Sequence, residues 1–241
     1  MTNIFSFWYT CSVPLYAIHI VGGQDGPYRL SSTELYRNNT WHSSVDLPVP
    51  LGAHCLVKLN STHVFLAGGF DGTHEPGANP PGAYSGASYI LNRATGKAMR
   101  QGDMSIPRGK PACTLLGDQV WVAGGRGDRT SDSRALKSSE YFSLSTSSWL
   151  TGPVLPSVTA GKKMLTYNGV AHLIGSKKIW QLARLDSEAG WTWIEVGEMK
   201  APRRDFDVIK MKQKDCKNWV VPDIQNTVKK PYIFNSWRRQ L

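Results

Sequence analysis

The chain has 241 residues, 41% of them apolar, with nine Trp and nine Tyr. That aromatic content excludes a disordered chain, and the length allows one large domain or two small ones. The formal net charge of +10 favours acidic partners of any class, and no stretch is apolar and long enough to read as a transmembrane helix.

The first 23 residues, MTNIFSFWYTCSVPLYAIHIVGG, are apolar but lack a basic start and carry Pro14, so they read as structure rather than as a signal peptide. They end in the first of three similar segments: IHIVGGQDG at 18–26, VFLAGGFDG at 64–72 and VWVAGGRGD at 120–128. Each runs a short apolar strand into a glycine pair: Gly22-Gly23, Gly68-Gly69 and Gly124-Gly125. A weaker fourth copy, HLIGS, surrounds Gly175, and the steps between copies are about 46, 56 and 51 residues. An aromatic follows each pair: Tyr36 in STELY, Tyr89 in ASYIL, Tyr141 in SEYFSL. In the fourth copy Leu182 or Leu185 stands where that Tyr is expected. A Trp comes next, at Trp41, Trp149 and Trp193 (with Trp191 as the alternative), and the second copy has none near 97–99. Pro-bearing links follow (LPVP, MSIPRG, VLPSV, MKAPRR), and then apolar runs lead into the next glycines.

Each period therefore reads as four short strands, a to d, with tight polar turns such as Asn168-Gly169, whose two central positions both want positive φ. Four antiparallel strands repeated at about fifty residues are the pattern of a β-propeller blade. One such sheet cannot cover both its faces, whereas stacked sheets cover each other, with Trp and Tyr filling the gaps. The glycine pair is expected where strand b ends in a backbone shape, or a close approach, that a Cβ forbids.

The double glycine, the spaced Tyr and Trp and the Pro-basic link resemble the kelch repeat over roughly residues 5–215. The resemblance implies an all-β, kelch-type β-propeller with four recognisable four-stranded blades, at about 5–45, 52–101, 110–151 and 160–195. A degenerate or partial fifth is expected at 204–222, before a basic-aromatic tail or closing strand at 223–241. It also implies a non-catalytic protein–protein interaction module, an adaptor or scaffold, since kelch adaptors hold targets on one loop face. Two alternatives stand beside it. One is a secreted kelch domain in adhesion or glycan binding; the other is an enzyme resembling the copper oxidases built on this scaffold. The compartment, cytoplasmic or secreted, stays open.

Antiparallel a-b-c-d order puts the a–b and c–d turns at one end of each blade, and the b–c loops and d–a links at the other. The second end carries long loops at 70–86 and 126–138 and the basic residues of the links: Arg108 and Lys110, Lys162 and Lys163, Arg203 and Arg204. These recur in phase and are expected to form a collar that binds an acidic peptide segment of a protein partner. The competing reading is a solvated surface with local pairs such as Arg204 with Asp205. Arg126 and Asp128 lie in the same loops; their tripeptide RGD fills the slot of Gln24-Asp25-Gly26 and Phe70-Asp71-Gly72, so it reads as turn chemistry.

Asn38 and Asn60 head glycosylation sequons at the opposite end, where Asn is also good turn chemistry. Cys11, Cys55 and Cys113 occupy one slot of successive a strands, with Met164 in the fourth, which reads as a small buried hydrophobe rather than a disulfide or redox sensor. The six His fall in different slots, so no metal cluster is expected, and no cofactor fingerprint occurs. The tail interleaves Lys229, Lys230, Arg238 and Arg239 with Trp219, Tyr232, Phe234 and Trp237, without an accompanying RNA-binding signature.

Overall fold

The computed structural model describes residues 18–26, 28–71, 83–127, 135–158, 161–185, 190–203 and 206–210. Contacts divide the chain into two units, Met1–Ile209 and Lys210–Leu241; of the second, Lys210 alone is among the described residues. The described residues form fifteen β-strands and no helix.

The strands make four antiparallel sheets, each in chain order. The first holds β1 (Ile18–Asp25), β2 (Tyr28–Arg37) and β3 (Thr40–Ser43). The second holds β4 (Cys55–Lys58), β5 (His63–Ala67), β6 (Ser88–Asn92) and β7 (Lys97–Arg100). The third holds β8 (Ala112–Leu116), β9 (Gln119–Ala123), β10 (Ser139–Ser143) and β11 (Ser148–Thr151). The fourth holds β12 (Lys163–Tyr167), β13 (Val170–Ile174), β14 (Lys178–Arg184) and β15 (Trp191–Glu198). Strand a of the first sheet was expected before residue 18, outside the described residues. Residues 206–210, in the expected fifth module, carry no strand.

Burial drives the stacking. The sheets turn their apolar residues toward their neighbours, so three cores form in succession among the described residues. Val21, Leu47 and Leu51 meet Val64, Leu66, Tyr89 and Leu91 between the first two sheets. Cys55, Val57 and Phe65 meet Cys113, Val120, Val122 and Phe142 between the second and third. Ala112 and Trp121 meet Met164, Leu173, Trp180 and Trp193 between the third and fourth. The arrangement is consistent with a β-propeller-like stack.

The register identifies equivalent positions. The residue before each glycine pair faces a hydroxyl residue on strand c: Val21 opposite Thr33, Ala67 opposite Ser88, Ala123 opposite Ser139. Each hydroxyl is buried and donates to a carbonyl of the outgoing link: Thr33 to Val45 (2.5 Å), Ser88 to Gly102 (2.6 Å), Ser139 to Pro153 (2.6 Å). Counted from this slot, Tyr36, Tyr89 and Tyr141 stand three, one and two residues on, so they are not the in-phase set expected from sequence. Alternation explains the scatter: Tyr89 packs toward the first sheet and Tyr141 toward the fourth, so each serves a different interface.

The Trp set does keep phase. Trp41 and Trp149 are each the second residue of strand d, opposite Tyr36 and Phe142, and Trp193 opposes Leu182 in the same slot. Ala98, opposite Leu91, fills it in the second sheet. The slot faces the preceding sheet. Trp149 therefore packs on Phe65 and Phe142, and its indole N–H donates to the Gly102 carbonyl at 2.8 Å. Trp41 does not fill a gap between sheets: it is 52% exposed, tilted against Tyr36, because no sheet of the described residues precedes its own.

The glycines act by close approach. Gly68 has φ +67°, and a Cβ there would lie 2.5 Å from the Arg108 carbonyl, because the outgoing link crosses that point. Gly175 needs no positive φ; a Cβ there would lie 2.7 Å from the Trp180 ring. The Asn168-Gly169 turn has φ +48° and +75°, the hairpin geometry its sequence predicts.

One expectation is overturned. Cys55 and Cys113 are joined in a disulfide, 58 residues apart in sequence, rather than being two isolated apolar fillers. Cys55 lies opposite Ala67, as Ala112 lies opposite Ala123, so Cys113 is one position further along its strand. A one-residue slip turns a side chain to the other face. The two sulfurs therefore face each other across the interface of the second and third sheets. Cys11 and Cys216 lie outside the described residues.

Candidate partner-binding face

The b–c loops and d–a links share one end, and backbone hydrogen bonds weld them together. Gly52 bridges Phe70, Gly109 bridges Arg126, and Arg126 bridges Ala135. Gly23 N–H donates to the Leu51 carbonyl and Gly69 N–H to that of Arg108, so the first two glycine pairs anchor the links that leave their own sheets. Lys110 N–H reaches back to the Ala53 carbonyl of the preceding link at 2.7 Å. Arg203 N–H donates to the Ser176 carbonyl at 2.6 Å, tying the fourth link to the fourth b–c loop. Recognition loops on a rigid scaffold are the usual place for binding.

The expected basic collar loses Arg108, which is fully buried. Its guanidinium donates to the carbonyls of Ile106, Gly124 and Ser138, to Ser138 Oγ, and to Glu140 Oε1 at 2.5 Å. Burial pushes its pKa down, and Glu140 opposes that shift. Glu140 in turn accepts the N–H groups of Ser105 and Ile106. Arg108 is thus a structural pin, satisfied at every donor. Lys163 is engaged as well, 2.7 Å from Asp207.

Lys110, Arg126 and Arg203 are exposed, and among the described residues none has a carboxylate partner. Lys110 holds φ +50°, a left-handed conformation uncommon for a side-chain residue, fixed by its bond to Ala53. The Gly109–Arg126 bridge makes Lys110 and Arg126 neighbours. Lys162 sits half-buried beside Trp180. Arg204 and Asp128 lie outside the described residues.

At the other end, Asn38 and Asn60 are both exposed turn residues. Asn38 and Asn39 have φ +50° and +61° in the β2–β3 turn, and Asn60 Oδ1 accepts the N–H groups of Thr62 and His63. The turn chemistry is therefore used, and the Asn60 amide nitrogen stays free of these bonds. Among the described residues no cluster of three His, Cys, Asp or Glu is placed to hold a metal. No helix there is long and apolar enough to cross a membrane.

Sequence reading missed Glu140 as the partner of Arg108. The in-phase Glu of TELY and SEYF, at Glu34 and Glu140, was the available signal. Glu34 is exposed in the first sheet, where no described link reaches it.

No family model matches the chain. A stretch of 57 residues is 39% identical to the spermatocyte protein spe-26 of Caenorhabditis elegans, covering 23% of this chain and 10% of that protein. The match spans about a tenth of that relative's length, so it is a local similarity between two chains.

Proposed function

We propose that this chain is a kelch-type β-propeller module without catalytic activity, which holds a protein partner through an acidic segment on its b–c/d–a loop face. The reading rests on one observation: Lys110, Arg126 and Arg203 stand exposed and unneutralised by any described carboxylate, on loops fixed by backbone bridges. Rigid placement lowers the ordering entropy that binding costs, and unpaired cations supply charge complementarity. The test is titration of a labelled glutamate-rich peptide into wild type and into a Lys110→Glu, Arg126→Glu, Arg203→Glu variant. Binding that disappears in the variant, at unchanged melting temperature, supports the reading; equal binding by both ends it.

A second reading, an extracellular domain in adhesion or glycan binding, is favoured by the Cys55–Cys113 disulfide, because disulfides persist in oxidising compartments. The exposed sequons at Asn38 and Asn60 would carry sugar away from the loop face. A mobility shift on deglycosylating native material supports this reading, and unglycosylated native protein removes it.

A further inference from the structure

Backbone hydrogen bonds put the outgoing links in one register. Leu51 N–H donates to the Leu30 carbonyl, Arg108 N–H to that of Ser85 and Arg203 N–H to that of Ser176. Each acceptor stands three residues before the strand-c position that faces the end of strand b: Thr33, Ser88 and Ile179. Leu51, Arg108 and Arg203 are therefore one position, repeated on the links that leave the first, second and fourth sheets. Its counterpart in the next sheet is one step beyond that strand-c position. Leu51 shares the first core with Tyr89, and Arg108 pairs with Glu140 between the second and third sheets. Counted the same way, Glu34 is the counterpart position in the first sheet. Arg203 and Glu34 are both exposed, and among the described residues neither has an ion-pair partner. Each is one half of the contact that Arg108 and Glu140 complete.

The sheet faces around them match as well. Ile18, Tyr36 and Trp41 lie directly across from one another, with Ile20 opposite Glu34 in the next row of the same face. On the fourth sheet Leu165, His172, Gln181 and Ile194 form a row, in which His172 holds the place that Phe65 holds beneath Trp149. Neither row belongs to any of the three cores, and Trp41 and Ile194 are 52% and 48% exposed. We propose that two copies of this chain associate head to tail, the first sheet of one against the fourth sheet of the other, with Arg203 of one copy ion-paired to Glu34 of the other. A second copy fits because it carries the complementary charge and the complementary row, and because the contact repeats one that the chain makes between its second and third sheets. The apolar rows supply the driving force, and the opposite charges fix which face meets which. The contact goes beyond acidic-segment binding: Arg203 serves that binding in the free copy, and Lys110 and Arg126 serve it in both states.

The test is sedimentation velocity of the full chain over a concentration series up to its solubility limit. Wild type is expected to shift from one copy to two or more as concentration rises. Glu34→Arg and Arg203→Glu, each alone, should raise the dissociation constant on the order of a hundredfold, by setting like charges together at the contact. An equimolar mixture of the two variants should associate again, because opposite charges then meet across every contact between unlike copies. Recovery on mixing excludes a folding defect and closure of the pair within one chain. In dilute protein Glu34→Arg should bind the glutamate-rich peptide as wild type does, which separates this contact from the acidic-segment reading. A wild type that stays single at every concentration, single variants that associate as wild type does, or a mixture that stays dissociated overturns the proposal.

Discussion

Arg108 and Glu140 form an ion pair of 2.5 Å in which neither side chain is more than 4% exposed. Arg108 belongs to the link that leaves the second sheet, and Glu140 to strand c of the third. The pair therefore fastens one module to the next, and the carboxylate also caps two backbone N–H groups of the same link.

Removing one partner leaves the other charged and buried. Arg108→Met or Glu140→Gln is expected to cost about 3–5 kcal/mol in denaturant unfolding, with the Arg108→Met, Glu140→Leu double variant costing less than the sum. A single substitution that leaves the unfolding midpoint in place contradicts this assignment. For the same reason a charge reversal at Arg108 reports on folding, and the binding test omits it.

The disulfide spans 58 residues and joins β4 to β8. Chain entropy puts its contribution at about 4 kcal/mol, so reduction or Cys55→Ser should lower the melting temperature. Non-reducing peptide mapping should recover the Cys55–Cys113 cross-link from native material. Free thiols at both positions in that material would refute it.

Trp149, half-buried against the second sheet, and the exposed Trp41 occupy one slot. Trp149→Ala should cost about 2–3 kcal/mol, through the contacts with Phe65 and Phe142 and the Gly102 hydrogen bond that it removes. Trp41→Ala, at a residue 52% exposed, should cost under about 1 kcal/mol. Equal losses in thermal unfolding would mean that the two indoles share an environment.

Burial pushes the pKa of both His19 and His54 down to about 4, with Arg93 adding to the effect at His19. Both ring nitrogens of His19, and Nδ1 of His54, are buried without a hydrogen-bond partner. An unfolded His takes a proton near the usual 6.5, so as pH falls from 6.5 toward 4 the unfolded state gains protons first and stability falls. For His54 the loss reaches about 3 kcal/mol at 1.36 kcal/mol per unit, and His54→Gln should flatten that part of the profile. A stability profile flat from pH 7 to 4 would exclude neutral burial of these rings.

Some features were legible because they are local. The Asn168-Gly169 turn and the equivalence of Trp41, Trp149 and Trp193 follow from short-range pattern, since a turn type or a strand position depends on a few neighbouring residues. Antiparallel order places Arg108 and Lys110 on the same end, yet it does not say that the first turns inward to Glu140 while the second stays in water. The hydroxyl slot of Thr33, Ser88 and Ser139 was hidden because its acceptors, the carbonyls of Val45, Gly102 and Pro153, lie twelve to fourteen residues away across a link of variable length.

The amino-acid order by itself determined that the described residues are all-β, that the modules repeat near every fifty residues, and where turns such as Asn168-Gly169 fall. Those properties come from alternation, glycine and turn chemistry acting over a few residues. Tertiary structure alone decided which side chains meet: Cys55 with Cys113, Arg108 with Glu140, Lys162 with Trp180. Each meeting depends on a register between strands or on the path of a link, and a shift of one residue there exchanges an inward face for an outward one.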